Sequence, residues 1–175
     1  MAYIFTIKLR DILEIVVIFI FALLFYNALR FLFSNPYPLV VVVSGSMMHV
    51  EDLENKHYKF LEKNFGYNRS YIDSWPLKNG FGIGDVLVVV KTEDLKVGDV
   101  IVFKNYCQDI PIAHRIIKIN EDGTLQTKGD NNYFQNVWAC YDERRIKKED
   151  VYGKVVLVIP KIGLIRYLIY LIFKF

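Results

Sequence analysis

The chain has 175 residues, which suits one domain with an appendage and leaves little room for two full domains. Hydrophobic residues make up 53%, aromatics 15% and charged residues 23%, a balance that excludes a disordered chain and points to a membrane-attached protein rather than an ordinary soluble globule. Lys plus Arg number 22 against 19 Asp plus Glu, a small excess not gathered into any basic tract, so nucleic acid is not an expected partner.

Residues 12–33 read ILEIVVIFIFALLFYNALRFLF, with no charge between Glu14 and Arg30. At about 1.5 Å per residue this segment reaches roughly 33 Å, enough for a hydrocarbon core of about 30 Å. A cleaved secretory signal is the competing reading. The apolar core is long for one, however, and Phe33-Ser34-Asn35-Pro36 offers no small-x-small cleavage site. An anchor over residues 1–34, with its span at about 12–33, is therefore expected. Lys8 and Arg10 precede the span, and after Arg30 no basic residue follows until Lys56. The positive-inside tendency places the N-terminus in the cytoplasm and the rest of the chain outside the cell membrane.

Pro36-Tyr37-Pro38 ends the helix, because proline disfavours helix at its own position and at the one before it. The β-branched run Leu39–Val43 then opens a mainly β domain expected over residues 35–160. Similar runs recur at Asp85–Lys91, Val100–Lys104, Ile112–Ile119, Thr124–Lys128 and Val155–Ile159. Turn signals separate them at Gly84-Asp85, Val97-Gly98-Asp99 and Asn120-Glu121-Asp122-Gly123. Residues 51–80 differ: EDLENKHYKFLEKNF permits a helix with Leu53, Phe60, Leu61 and Phe65 roughly on one face, and the segment reads as an insertion. The tail at 161–175 is apolar but interrupted by Lys161, Arg166 and Lys174, which favours a helix lying in or dipping into the interface over a second span. Cys107 and Cys140 show no CxxC spacing; they either remain thiols or form one bridge.

Ser44-Gly45-Ser46-Met47 leaves the first strand through a glycine and presents two hydroxyls. Taken alone it is a polar turn or a nucleophile turn, since a serine hydroxyl needs a base for its proton and amide donors for the oxyanion. Three histidines exist, His49, His57 and His114. Strand alternation puts His114 on a face with Ile112 and Ile116, which fits either a satisfied core histidine or a base. Beyond the next strand, Lys128-Gly129-Asp130-Asn131-Asn132 is an ordinary turn or the source of a carboxylate that orients an imidazole.

Together and in this order, SGSM after a membrane anchor, then AHRI, then TKGDNN, the motifs resemble the signal peptidase I family, in particular its archaeal and endoplasmic-reticulum branch. The resemblance runs from the anchor to Ile159, with 51–80 as an insertion. It implies a serine endopeptidase that removes signal peptides from exported preproteins at the membrane surface, with small side chains expected one and three positions before the scissile bond. It implies Ser46 as nucleophile and His114 as base, where bacterial relatives use lysine. An imidazole titrates near neutrality and accepts the proton without the burial a lysine base needs. The resemblance further implies an oxyanion hole at the Ser46 N–H with help from the Ser44 hydroxyl, no metal or organic cofactor, and the bilayer and a translocon as candidate neighbours.

Two departures stand out. Relatives often read SGSMxP, yet here His49 takes the proline's place, so a looser nucleophile turn is expected. Relatives also often carry a second aspartate six residues after the one matched by Asp130, where this chain has Asn136. The acid then falls to Asp130 or to Asp142 in Tyr141-Asp142-Glu143-Arg144. An inactive membrane-anchored paralogue is the alternative reading. A metal protein using His49, His57 and His114 and a self-cleaving regulator with a serine dyad are weaker rivals, the first for want of HExxH and the second because a span stands where a DNA-binding segment would be needed.

Overall fold

The computed structural model describes residues 9–108 and 110–164. Helix α1 runs Leu9–Leu32, 24 residues with none buried, and an 18-residue window of it has a mean hydropathy of 2.5. It is long and apolar enough to cross a membrane, and its described part includes Leu9–Asp11, ahead of the expected span. The helix stops where Ser34 turns to φ 47° ahead of Pro36. Asn35 is buried at this joint: its backbone N–H donates to Arg30 O (3.1 Å), its Nδ2 to Val89 O (3.2 Å), and its Oδ1 accepts from Tyr37 N (2.8 Å). Lys91 N also donates to Phe33 O at 3.1 Å, so the end of the anchor is bonded to the sheet.

Among the described residues eight strands follow: β1 (Leu39–Val41), β2 (Val86–Val90), β3 (Val100–Phe103), β4 (Ile112–Ile119), β5 (Leu125–Lys128), β6 (Val137–Trp138), β7 (Tyr141–Asp142) and β8 (Val151–Ile159). Six of them form one antiparallel sheet in the order β1-β2-β8-β3-β4-β5, while β6 and β7 pair apart as a small ribbon. Each of the six apolar runs named above lies in this mainly β sheet. β8 starts earlier than expected, at Val151, and β1 ends sooner, at Val41. The ribbon strands, two residues each, are too short to give a periodic signal.

Both faces of the sheet are covered, which is why VIVF in β3 is continuously apolar and buried throughout. Val100 and Val102 pack with Val42, Met47, Leu87 and Val89 on one face; Ile101 and Phe103 pack with Ile116, Leu125 and Val151 on the other. Cys107 and Cys140 are joined as a disulfide with Cα atoms 5.4 Å apart. The expected interfacial tail lies mostly outside the described residues. At its start, Lys161 N donates to Asp85 Oδ1 (3.0 Å) and Gly163 N to Gly84 O (2.8 Å), folding the chain back on the turn before β2.

Residues 51–80 hold a π-helical turn (Glu54–Tyr58), α2 (Lys59–Phe65), which ends at Gly66 with φ 70°, and α3 (Arg69–Asp73), rather than one helix. Leu61, Ile72 and Trp75 pack on Ile117 of β4, with Phe60 and Phe65 at the margin. His57 is only 3% exposed, wedged edge-on against Tyr58 and Trp75, with Nδ1 3.3 Å from Asp130. Burial lowers its pKa from 6.5 to about 4, against the pull of Asp130 and with help from Arg115 and Lys128. Between about pH 4 and 6.5 the unfolded chain therefore binds the proton that the folded chain refuses, and stability declines as pH falls through that window. The loss is expected to reach about 3 kcal/mol at most, read as a falling thermal midpoint in detergent; His57→Phe, which cannot be protonated, should flatten that slope.

Candidate active site

After β1 the chain passes Val42 and Val43 into Ser44-Gly45-Ser46-Met47. Met48 N donates to Gly45 O (3.1 Å) and closes the turn, and Met47, 1% exposed, plugs into the sheet's core while its carbonyl accepts from Phe81 N (3.0 Å). Ser46 is thus held between a tight turn and a buried anchor residue. From the other side, Asn131 N donates to Ser46 O (2.8 Å), Asn131 Nδ2 to Gly45 O (3.0 Å), and Asp130 N contacts Met47 Sδ (3.3 Å). The Gly129-Asp130-Asn131 loop is the clamp on the serine turn. Gly129 stands here because nothing larger fits: a Cβ would lie 2.7 Å from Ser46 O, 2.8 Å from Asn132 Nδ2 and 2.9 Å from His114 Nε2.

His114, in β4, is 4% exposed and meets the edge of Phe103. Its Nδ1 is hydrogen-bonded to Glu143 Oε1. A carboxylate only accepts, so Nδ1 donates, and in the neutral imidazole the lone pair falls on Nε2, on the Gly129 side. Glu143 is fully buried and fully bonded: Oε1 also accepts from Thr127 Oγ1 (3.1 Å) and Oε2 from Asn136 N (2.6 Å). Ser44, Ser46 and His114 border one cleft of about 310 Å³, together with Asn132, Asn136 and Tyr141. Within it the Ser46 hydroxyl bonds Ser44 Oγ at 3.2 Å; among the described residues it makes no direct bond to His114.

The carboxylate on His114 is Glu143, in place of the expected Asp130 or Asp142. Asp142 points away from the imidazole, 31% exposed in its side chain, and forks with Arg144, which lowers its pKa. Residues 142 and 143 alternate sides at the end of β7, so when Asp142 faces solvent, Glu143 faces in. That alternation, and Arg144 two residues after Asp142, were the available signals. Asp130 is engaged elsewhere: Arg115 Nε and Nη2 fork onto it at 2.9 and 2.7 Å, and His49 Nε2 bonds Oδ2 at 2.9 Å. Burial alone would raise its pKa, but the Arg115 charge and the His49 bond hold it far below the carboxylate range. His49 therefore ties down the turn that the missing proline was expected to loosen. His49 and His57 converge on Asp130, and His114 does not join them.

Two buried cations brace the rear of the site. Arg115 Nη1 donates to Pro76 O (2.7 Å) and Gly98 O (2.8 Å), joining the 51–80 segment to β4. Lys128 Nζ donates to Lys56 O, Gly129 O and Asn132 O, each at 2.8 Å, and burial lowers its pKa to about 8.

No family model matches the chain. It is similar to the signal peptidase complex catalytic subunit SEC11 of Lachancea thermotolerans, 31% identical over 153 residues that cover 82% of this chain and 73% of the relative. The SEC11 subunit of Scheffersomyces stipitis is 26% identical over 168 residues, covering 93% of this chain and 83% of the relative. SEC11C of Homo sapiens is 29% identical over 152 residues, 82% of this chain and 63% of the relative. A likeness of this depth, extending over most of a chain that has a membrane-length helix followed by an antiparallel sheet, places the protein: it belongs to the family of signal peptidase complex catalytic subunits.

Proposed function

We infer that the chain is a membrane-anchored serine endopeptidase that removes N-terminal signal peptides from preproteins, with Ser46 as nucleophile, His114 as general base and Glu143 as the acid that orients it. The observation that carries the assignment of roles is the His114–Glu143 bond in the cleft that Ser46 shares, with Gly129 against both the Ser46 backbone and His114 Nε2. Nε2 takes the Oγ proton as Oγ bonds to the scissile carbonyl carbon. The Ser46 N–H, which has no partner among the described residues, and the Ser44 hydroxyl face the developing oxyanion. The proton on Nε2 then goes to the leaving amine, the C–N bond breaks, and water attacks the acyl-serine with His114 again as base. The buried Glu143 stabilises the imidazolium formed in each half.

The substrate lies extended in this reading. Among the described residues β1 pairs with β2 alone, which leaves its second edge open there, and its residues Val40 and Val41 border the cleft together with Ile112 and Ala113. Such an edge offers backbone donors and acceptors to a peptide strand. The catalytic domain faces the extracytoplasmic side, a reading supported by Lys8 and Arg10 ahead of the span and by a disulfide, which belongs to an oxidising compartment. The bilayer is a partner through α1, and the translocon is a candidate neighbour.

Purified protein in liposomes is expected to cleave a membrane-inserted precursor at one small-x-small site, and Ser46→Ala to abolish that cleavage. Absence of cleavage by both folded proteins would favour an inactive paralogue. Glu143→Gln should lower kcat about 10²- to 10⁴-fold with little change in KM, while Asp142→Asn stays within about twofold of wild type; equal effects of the two would remove Glu143 from the triad. Gly129→Ala should keep the fold yet cut kcat at least about tenfold, because the new methyl displaces the Ser46 carbonyl or the His114 ring, as steady-state kinetics would show.

A further inference from the structure

The disulfide links two pieces of chain that both border the cleft. On one side, Asn105, Gln108 and Pro111 wall it from the connection between β3 and β4. The root of that connection is fixed at Asp150, whose carbonyl accepts from Lys104 N (2.9 Å) and whose Oδ1 accepts from Tyr106 OH (2.5 Å). On the other side, Asn136 and Tyr141 wall the cleft from the β6–β7 ribbon, and Cys140 sits at the ribbon's turn. The ribbon has two residue pairs, Val137 with Asp142 and Trp138 with Tyr141, and Val137 and Trp138 are 51% and 62% exposed. Two pairs do not hold a ribbon in water. Its base is secured through Glu143, by His114, Thr127 and Asn136; its tip is secured by the bond to Cys107.

We propose that the Cys107–Cys140 disulfide is a positioning element for substrate binding: it holds the ribbon tip against the opposite wall, so the cleft keeps its width for an extended peptide, while the catalytic groups are held independently of it. Cys107 is exposed and Cys140 half-buried, so a soluble dithiol reaches the bond. Reduction would convert the bridge to two thiols as the dithiol becomes its own cyclic disulfide, and would free the tip without touching the His114–Glu143 bond. The enzyme would then bind peptide less well and turn over what it binds at nearly its former rate. The proposal rests on the cleft being the peptide site of a Ser46 endopeptidase.

The test uses the full chain in detergent, oxidised, reduced with dithiothreitol, and as Cys107→Ser/Cys140→Ser, with a signal-sequence peptide and a small aryl ester as substrates. Expected are a rise of about tenfold in KM for the peptide in both the reduced and the doubly substituted protein, kcat within about threefold, acylation by the ester within about twofold, and recovery of KM on reoxidation. An unchanged peptide KM would overturn the proposal, and so would equal losses on both substrates, which mark a merely structural bond. If the double variant fails to fold, reduction of the folded wild type gives the same readout. Peptide cleavage that survives Ser46→Ala would instead overturn the underlying reading of the site, whereas Ser46-dependent cleavage with an insensitive KM overturns this inference alone.

Discussion

The site is organised around one buried charge, the Asp130 carboxylate. It is 1% exposed, and its cost in a low-dielectric interior is offset by the Arg115 fork and the His49 bond. Each partner brings a different part of the chain: Arg115 comes from the base strand β4 and reaches on to Pro76 and Leu77 of the inserted segment, His49 comes from the serine turn, and His57 from the helices above. With the carboxylate fixed, the next amide on the chain falls on the Ser46 carbonyl. A residue remote from proton transfer thereby sets where the hydroxyl stands.

Much of the architecture was legible because its causes are local. A long charge-free apolar run favours a lipid-facing helix, and short β-branched runs between Gly-Asp turns favour strands. Ser46 and His114 could be picked out only through the order of SGSM, AHRI and TKGDNN that the resemblance supplies; taken alone, each also fitted a polar turn or a core histidine. The acid was not legible. Glu143 follows a two-residue strand whose pairing is set by tertiary packing, and its neighbour Asp142 has the same charge and one methylene less. Only the face that each side chain takes separates them, and the alternation that assigns those faces can be used only once β7 is located, which its two-residue length keeps from showing in the sequence. The inserted helices were equally opaque in detail, since the π-helical turn at Glu54–Tyr58 positions His57 for a contact with a residue far along the chain.

The placement of Glu143 has a chemical logic. Asn136, at the position where a carboxylate was sought, contributes its backbone instead: its N–H donates to Glu143 Oε2 and its carbonyl accepts from Glu143 N. The ribbon β6–β7 lets the chain leave that position and return seven residues later with a longer side chain whose carboxylate meets the same imidazole. The carboxylate that meets His114 is tied to a point in space rather than to a place in the sequence, and a hairpin supplies the detour.

The joint at Asn35 carries a mechanical meaning. A joint whose Asn35 side chain is bonded to Val89 of the second strand, and whose Phe33 carbonyl accepts from Lys91 N, is not a leash but a bracket. The junction runs through β2, the neighbour of β1, so the apolar helix meets the sheet beside the strand that leads into the Ser46 turn. A single bonded junction thereby links the helix that is long enough to cross a membrane to the sheet that carries the serine turn.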